Sequence, residues 1–507
     1  MKWPRQGMRI GGLRSEWPVV GLVFLVGAVY ARTLLPGIHQ WGDITKAQFL
    51  GKFLGMTHPT GYPLYILLTA PIARVPIGSL AWRINAFSAI CGLAAVVLTY
   101  GIARQQRVRP ILAAIVAGAL AFSKTAWSQF VVAEVYALNA LLVAGVLFLL
   151  LRWLHTGNTK WFLAACGVYA LSFGNHLTMV TLLPAFAMAT ILGPWRRILR
   201  PSIVGVVALF IALGAAQYGY LFLASSSNSL YLEYRIGDFG ELVEFVSGER
   251  YRRRMFAFDW KESLTARLPR FVAQLVRDLG PLALLAPLGL TTNKTATVAG
   301  AEGVRLARAD VVLLLAAVGQ LVWLIGYDIR DIEVYAIPLT LIVAVFAGQA
   351  LETIASESTD FWAPSLAVAI GVSALFPLPF VNRPSHVSSA RFVERIEENL
   401  SVMGRDAVIL DPIYYSPRMA YVYRLYADRL FEEKNLHLSD HASVSQVVRY
   451  LNGEPTLVDS HTREMLPTGL RLFVAPRGAE KDWGRDLSLG NRQGELRDVT
   501  LSQESDQ

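Results

Sequence analysis

The stretch WPVVGLVFLVGAVYARTLLP at residues 17–36 decides the fold class. It holds no acid and one cation, Arg32, and it is long enough to cross a hydrocarbon core, which takes about 20 apolar residues. Outward from it, similar runs recur to about residue 381, separated by short charged or Pro/Gly-bearing loops. The 507-residue chain is 54% hydrophobic, more than a soluble domain carries. Its solvent is expected to be lipid, and lipid offers unpaired backbone no partner, so the spans must be helices.

The expected spans are 17–36, 82–103, 110–123, 132–151, 161–174, 177–193, 202–224, 268–291, 309–327, 333–351 and 361–381, which makes about eleven crossings. Lys2, Arg5, Arg9 and Arg14 precede the first run as in a signal peptide, but no small-residue cleavage site follows. It is read as a retained helix. With the N-terminus in the cytoplasm, the loops carrying Arg104, Arg107 and Arg109, then Arg152 and Lys160, then Arg196, Arg197 and Arg200, then Lys294, Arg305 and Arg308 fall on the same side. This positive-inside pattern accounts for the net charge of +9 better than a nucleic-acid partner does. The loop 352–360, with Glu352, Glu357, Asp360 and no base, runs against it. Cys91 and Cys166 lie in apolar runs, where packing is their expected use.

Loops 37–81 and 225–267 and the tail after about 382 then face outside, and chemistry is expected there. GYPLYILLTAPIARVP at 61–76 holds three prolines and is read as interfacial helix. The division expected is a transmembrane domain over 1–381 and a small soluble α/β domain over 382–477, with strands such as AVIL at 407–410 and LRLFVAP at 470–476. The polar stretch 478–507 is expected to be disordered. No internal repeat is evident, which weighs against transporters built from repeated halves.

The outer segments carry the polar chemistry. In HQWGDITKAQFLGKFLGMTHPTGYPLY (39–65), Asp43 follows a spanning helix, where low dielectric strengthens a carboxylate base; the bland alternative is a helix cap. His58 and Tyr62 sit in a Pro/Gly corner, and ligand spacing for a metal is absent around His58. In SKTAWSQFVVAEVYALN (123–139), Glu134 ends a membrane helix beside Tyr136, and an acid at that depth is costly enough to suggest function. Pairing with Lys124 is the architectural alternative. Asn175 and His176 in LSFGNHLTM mark a break between two short segments, where irregular backbone lines cavities. YDIRDIEVYAIP (327–338) holds Asp328, Asp331, Glu333 and Tyr335, with Asp328 and Asp331 expected on one helical face with Tyr335. GERYRRRMFAFDW (248–260), with Arg250, Arg252 and Arg253, suits a lipid phosphate or an anionic headgroup.

Taken in order, the GD loop, HPTGYPLY, WSQFVVAEVYALN, GNHLTM, VSGERYRRR and DIRDIEVY resemble GT-C membrane glycosyltransferases, in the bacterial branch related to the plexin-type transmembrane O-mannosyltransferase family. The resemblance spans roughly residues 17–350. It implies a GT-C fold in a bacterial cytoplasmic membrane and inverting transfer of a hexose, mannose-like, from a polyprenyl-phosphate lipid to a protein or glycan hydroxyl outside, with Asp43 as base. The residues named around it would contact substrate, and the cations of 250–254 would face the departing phosphate. No cofactor is required on this reading, although the Asp328 and Asp331 pair leaves a divalent cation open. The sequence departs from the family at Thr60, where relatives commonly have Pro, and at Lys46, where they commonly have an acid. A flippase for a lipid-linked sugar and a ligase using a diphosphate-linked glycan are the rival readings.

Overall fold

The computed structural model describes residues 16–227, 229–292, 307–357, 383–410, 415–439, 442–474, 486–493 and 496–502. Among these, five helices are long and apolar enough to cross a membrane: Leu80–Gln105, Val135–Thr156, Pro201–Ser226, Arg308–Gly326 and Ile332–Ser356. They overlay the expected runs at 82–103, 132–151, 202–224, 309–327 and 333–351. The chain is an integral membrane protein, and its outer faces are apolar: Leu209, Ile211 and Leu213 are 50–63% exposed on one helix. In water such a face would be costly, whereas in lipid it is the solvent-matched side.

The remaining runs are shorter or broken, and each break has a local cause. Trp17–Thr33, Thr159–Ser172 and the Leu177–Leu192 segment are apolar helices of fewer than 18 residues. The 110–123 run becomes Pro110–Phe122 followed by Lys124–Phe130 at 69°. Ser123 is extended there, and its Oγ accepts from Ala126 N at 3.3 Å, capping the second piece. The single span expected over 268–291 is instead a pair, Trp260–Leu279 and Pro281–Leu290, bent by 109°. Gly280 at φ 58, ψ −141 takes a conformation that only glycine adopts readily, and Pro281 cannot continue the preceding helix. The 61–76 stretch forms one helix, Pro63–Ala73, opened by its proline. The expected span 361–381 lies outside the described residues.

Glu352, the acid that ran against the charge pattern, accepts from the Arg109 guanidinium, Nη2 to Oε1 at 2.8 Å and Nε to both oxygens at 3.0 Å, and from the Arg109 backbone N–H at 2.8 Å. This fork-to-carboxylate pair ties the end of Ile337–Glu357 to the start of Pro110–Phe122 and neutralises the acid in place.

The C-terminal domain joins a long helix, Arg383–Met403, to a five-stranded mixed sheet. Its strands are β1 (Ala407–Leu410), β2 (Leu436–Ser439), β3 (Arg471–Val474), β4 (Leu487–Gln493) and β5 (Leu496–Leu501), in the order β2-β1-β3-β5-β4. The first three are parallel and the hairpin is antiparallel. The tail expected to be disordered therefore supplies two of the five strands. The reason lies in its spacing: Leu487, Leu496 and Val499 bury completely or nearly so against β3, and a sparse alternation of this kind is outweighed by polar neighbours when composition alone is read. Leu496→Ala is expected to destabilise the domain by about 3 kcal/mol, read as a lower unfolding temperature and faster proteolysis of residues 383–502.

Candidate active site

The six polar segments fold onto one cavity of about 290 Å³. Its floor begins with the Gly42–Phe53 helix. The N-cap is Trp41, with no side-chain cap bond, and Asp43 follows in the first turn. Asp43 is thus not the cap, and as an acid at a helix N-terminus it is favoured by the backbone dipoles. Its side chain is 60% exposed at the cavity rim, with Oδ1 3.0 Å from Lys46 Nζ and 3.9 Å from His58 Nε2.

The HPTGYP corner brings in His58 and Tyr62. Gly61 at φ +83 and Tyr62 at φ +47 reverse the chain in the left-handed region before Pro63 opens the next helix. From Tyr62 an aromatic wall runs through contacts of 5–6 Å: His58 edge-on to Tyr62 at 5.3 Å, Tyr62 stacked on His176 at 5.9 Å, His176 edge-on to Tyr335 at 5.2 Å, and Tyr136 against Tyr335 at 5.4 Å. Tyr327 and Trp323 extend it. Tyr136 donates its hydroxyl to Asp331 Oδ2 at 3.1 Å. Such a surface of ring faces with hydroxyl and carboxylate edges suits a sugar, whose C–H face and hydroxyls differ in the same way.

Two of these groups also terminate helices. Glu134 is the N-cap of Val135–Thr156, its Oε2 accepting from Val135 N at 3.2 Å. Burial, reinforced by the negative charge of Asp43, pushes its carboxyl up to about 8. His176 caps the next segment, its Nδ1 accepting from Thr178 N at 3.2 Å. Burial drives it down to about 4, with His58 adding to the effect. His58 is lowered too, by burial first and then by Lys46, so both imidazoles are neutral at pH 7.

Of the residues named from sequence, Asp43, His58, Tyr62, Glu134, Tyr136, His176, Asp331 and Tyr335 line the cavity, while Lys124, Asn175, Arg252, Arg253, Asp328 and Glu333 do not. Lys124 is exposed at the start of its helix, and Glu134 is not ion-paired with it among the described residues. Asn175 is buried and donates to Val135 O at 3.1 Å. Asp328 and Asp331 share no helical face, because 327–331 is a turn and helix resumes only at Ile332–Ala336. Glu333 pairs with Arg270 at 3.2 Å rather than facing inward. In the basic loop Glu249–Arg254 is a 3₁₀ turn, whose three-residue repeat puts positions three apart on one face. Tyr251 and Arg254 therefore line the cavity, while Arg252 pairs with Glu249 at 3.2 Å and Arg253 is exposed. Arg250 lies in the same turn. Tyr251, Trp323 and Tyr327 also line the cavity and were not singled out from the sequence, although counting by three from Arg254 would have found the first of them. Among the described residues no cluster of three or more His, Cys, Asp or Glu side chains is arranged to hold a metal ion.

Residues 49–198 match the family profile described as the Protein O-mannosyl-transferase TMEM260 N-terminal domain. The chain is 30% identical over 251 residues to the mouse (Mus musculus) Protein O-mannosyl-transferase TMEM260, a match covering 47% of this chain and 34% of the mouse protein. The aligned region therefore spans about a third of that relative's length. Among solved structures, ArnT from Cupriavidus metallidurans, both bound to undecaprenyl phosphate and in the apo state, superposes with a TM-score of 0.57 at 12% identity, covering 95% of this chain and 97% of ArnT. The fold is thus shared along nearly the whole chain, a GT-C-type helical bundle with a small α/β domain.

A methyl group at Gly61 would meet Leu221 Cδ2 at 2.8 Å and Phe245 Cε1 at 3.1 Å at a positive φ, whereas one at Gly219 would meet nothing within 4 Å. Gly61→Ala is expected to cost about 1–2 kcal/mol and Gly219→Ala to cost nothing, compared by thermal unfolding in detergent.

Proposed function

We propose that this relative of the TMEM260 O-mannosyltransferases is an inverting hexosyltransferase, moving a mannose-like sugar from a polyprenyl-phosphate lipid to a protein or glycan hydroxyl on the outer face of a bacterial cytoplasmic membrane. The observation that carries it is the arrangement around Asp43. The rim-exposed Asp43 carboxylate shares a cavity with a second carboxylate, Asp331, a guanidinium, Arg254, and a wall of aromatic rings. The fold shared with ArnT, solved with undecaprenyl phosphate bound, supports the lipid donor.

In the transfer, Asp43 takes the proton of the acceptor hydroxyl as that oxygen bonds to the anomeric carbon. The bond from that carbon to the phosphate oxygen breaks on the opposite face, which inverts the sugar. The electron pair leaves with the lipid phosphate, and Arg254 is placed to offset the growing charge. Glu134, held neutral, adds no anion to repel the phosphate. The tyrosines and neutral histidines supply hydrogen bonds to sugar hydroxyls.

Purified protein supplied with defined polyprenyl-phosphate hexoses and membrane acceptors is expected to release lipid phosphate and yield O-linked hexose. Turnover only of a diphosphate-linked glycan, or lipid translocation without transfer, would replace the reading with a ligase or a flippase. Asp43→Asn should lower transfer by about 10²–10⁴-fold while donor-lipid binding stays within about threefold.

The Glu134 carboxyl is neutral below its value of about 8 and charged above it. Donor binding is therefore expected to weaken as pH rises through 8, and Glu134→Gln to abolish that decline, as read by titration of a fluorescent polyprenyl-phosphate sugar.

A further inference from the structure

Lys46 lies one turn after Asp43 on the same helix, and its side chain is only 4% exposed although it carries an ammonium group. A buried ammonium persists where carboxylates face it. Two do so here, with Nζ 3.0 Å from Asp43 Oδ1 and 2.9 Å from Glu233 Oε1. Glu233 comes from the outer loop, whose backbone brackets Met56: Met56 N donates to Tyr231 O, and Glu233 N donates to Met56 O, each at 3.0 Å. Tyr231 donates its hydroxyl to Glu233 Oε1 at 2.6 Å. Its ring is stacked on His461 of the C-terminal domain, 6.1 Å away and tilted by only 14°, and its hydroxyl lies 3.3 Å from Met419 Sδ of that domain. His461 N in turn donates to the buried Asp459, which also holds His437 and Tyr426. A chain of contacts thus runs from the soluble domain to the carboxylate at the cavity rim.

The charges around Asp43 need such a cation. Besides Lys46, Tyr231 and the tyrosines that line the cavity, the charged or titratable side chains gathered there are His58 from the corner, Glu134 at the end of its span, Glu233 from the loop, Arg254 from the 3₁₀ turn and Asp331 from the 327–331 turn. Glu233 and Asp331 bring negative charge, which favours a protonated Asp43, whereas Glu134 is held neutral by burial. Arg254 is exposed to solvent, where its charge is screened. Lys46 is the buried counter-charge.

We propose that Lys46 is a positioning residue for Asp43, an internal cation fixed by Glu233 and Tyr231 against the C-terminal domain, which holds the rim carboxylate ionised and in place. The clamp itself is read from geometry, and only its catalytic consequence rests on the transfer reading above.

The test is the pH dependence of Asp43 modification by a water-soluble carbodiimide, which reacts with the protonated carboxyl. It is followed by mass spectrometry on the full-length protein in nanodiscs and needs no turnover. Lys46→Met is expected to raise the labelling midpoint by about one pH unit or more, and Lys46→Arg to keep it within a few tenths of the wild type. Glu233→Gln is expected to leave the midpoint at or below the wild-type value, because a like charge is gone and Lys46 then serves Asp43 alone. An unchanged midpoint in folded Lys46→Met overturns the proposal. Should that variant fail to fold, an upward shift in Glu233→Gln overturns it instead. In the same variants the acid limb of kcat/KM for sugar transfer should follow the labelling midpoint. Midpoints that shift as expected in a protein that transfers no sugar would uphold the clamp and refute the reaction.

Discussion

In a hydrocarbon solvent a helix can stop only where some group takes over its unpaired amides, and this requirement organises the end of the bundle that holds the cavity. The stops are made by polar side chains, and where they cluster the chain has room for a cavity. Glu134 accepts from the first amide of its span, and His176 accepts from the amide two residues on in the next one. The residues that finish the membrane helices are therefore the ones that line the site. Architecture and chemistry are served by the same atoms, so neither can be altered alone.

Much of this was legible in the sequence because lipid makes patterns simple. A run such as 135–156 has one solution, and an acid or histidine at its end is conspicuous against the apolar background. Asp43, Glu134, His176 and Asp331 were found in that way. What could not be read was direction within irregular segments. Arg252, Arg253 and Asp328 have the same chemistry as Arg254 and Asp331, but a 3₁₀ turn and a non-helical turn send them elsewhere. The C-terminal hairpin was hidden for a related reason: its few buried residues, Leu487, Leu496 and Val499, are scattered among polar neighbours and form a face only once the hairpin is paired to β3.

The site combines neutral polar groups with a small number of fixed charges. Both histidines are discharged by burial, and Glu134 is held protonated by the same cause. The charges that remain are the Asp43–Lys46–Glu233 set, with Asp43 at the rim, and the Arg254 and Asp331 side chains of the lining. An environment of this kind carries few surplus anions and keeps the Asp43 carboxylate exposed at the rim.

The turn of 109° at Gly280 has a mechanical corollary. If Pro281–Leu290 runs along the bilayer normal, the preceding Trp260–Leu279 stretch must recline almost flat at the lipid surface, carrying Arg270 and Arg277, whose guanidinium groups lie 3.2 and 3.9 Å from Glu333 near the last outer turn. A reclining helix of this sort works as a depth gauge. A tilt of it would be felt first at Glu333, which shares its short segment with Tyr335 and lies two residues from Asp331.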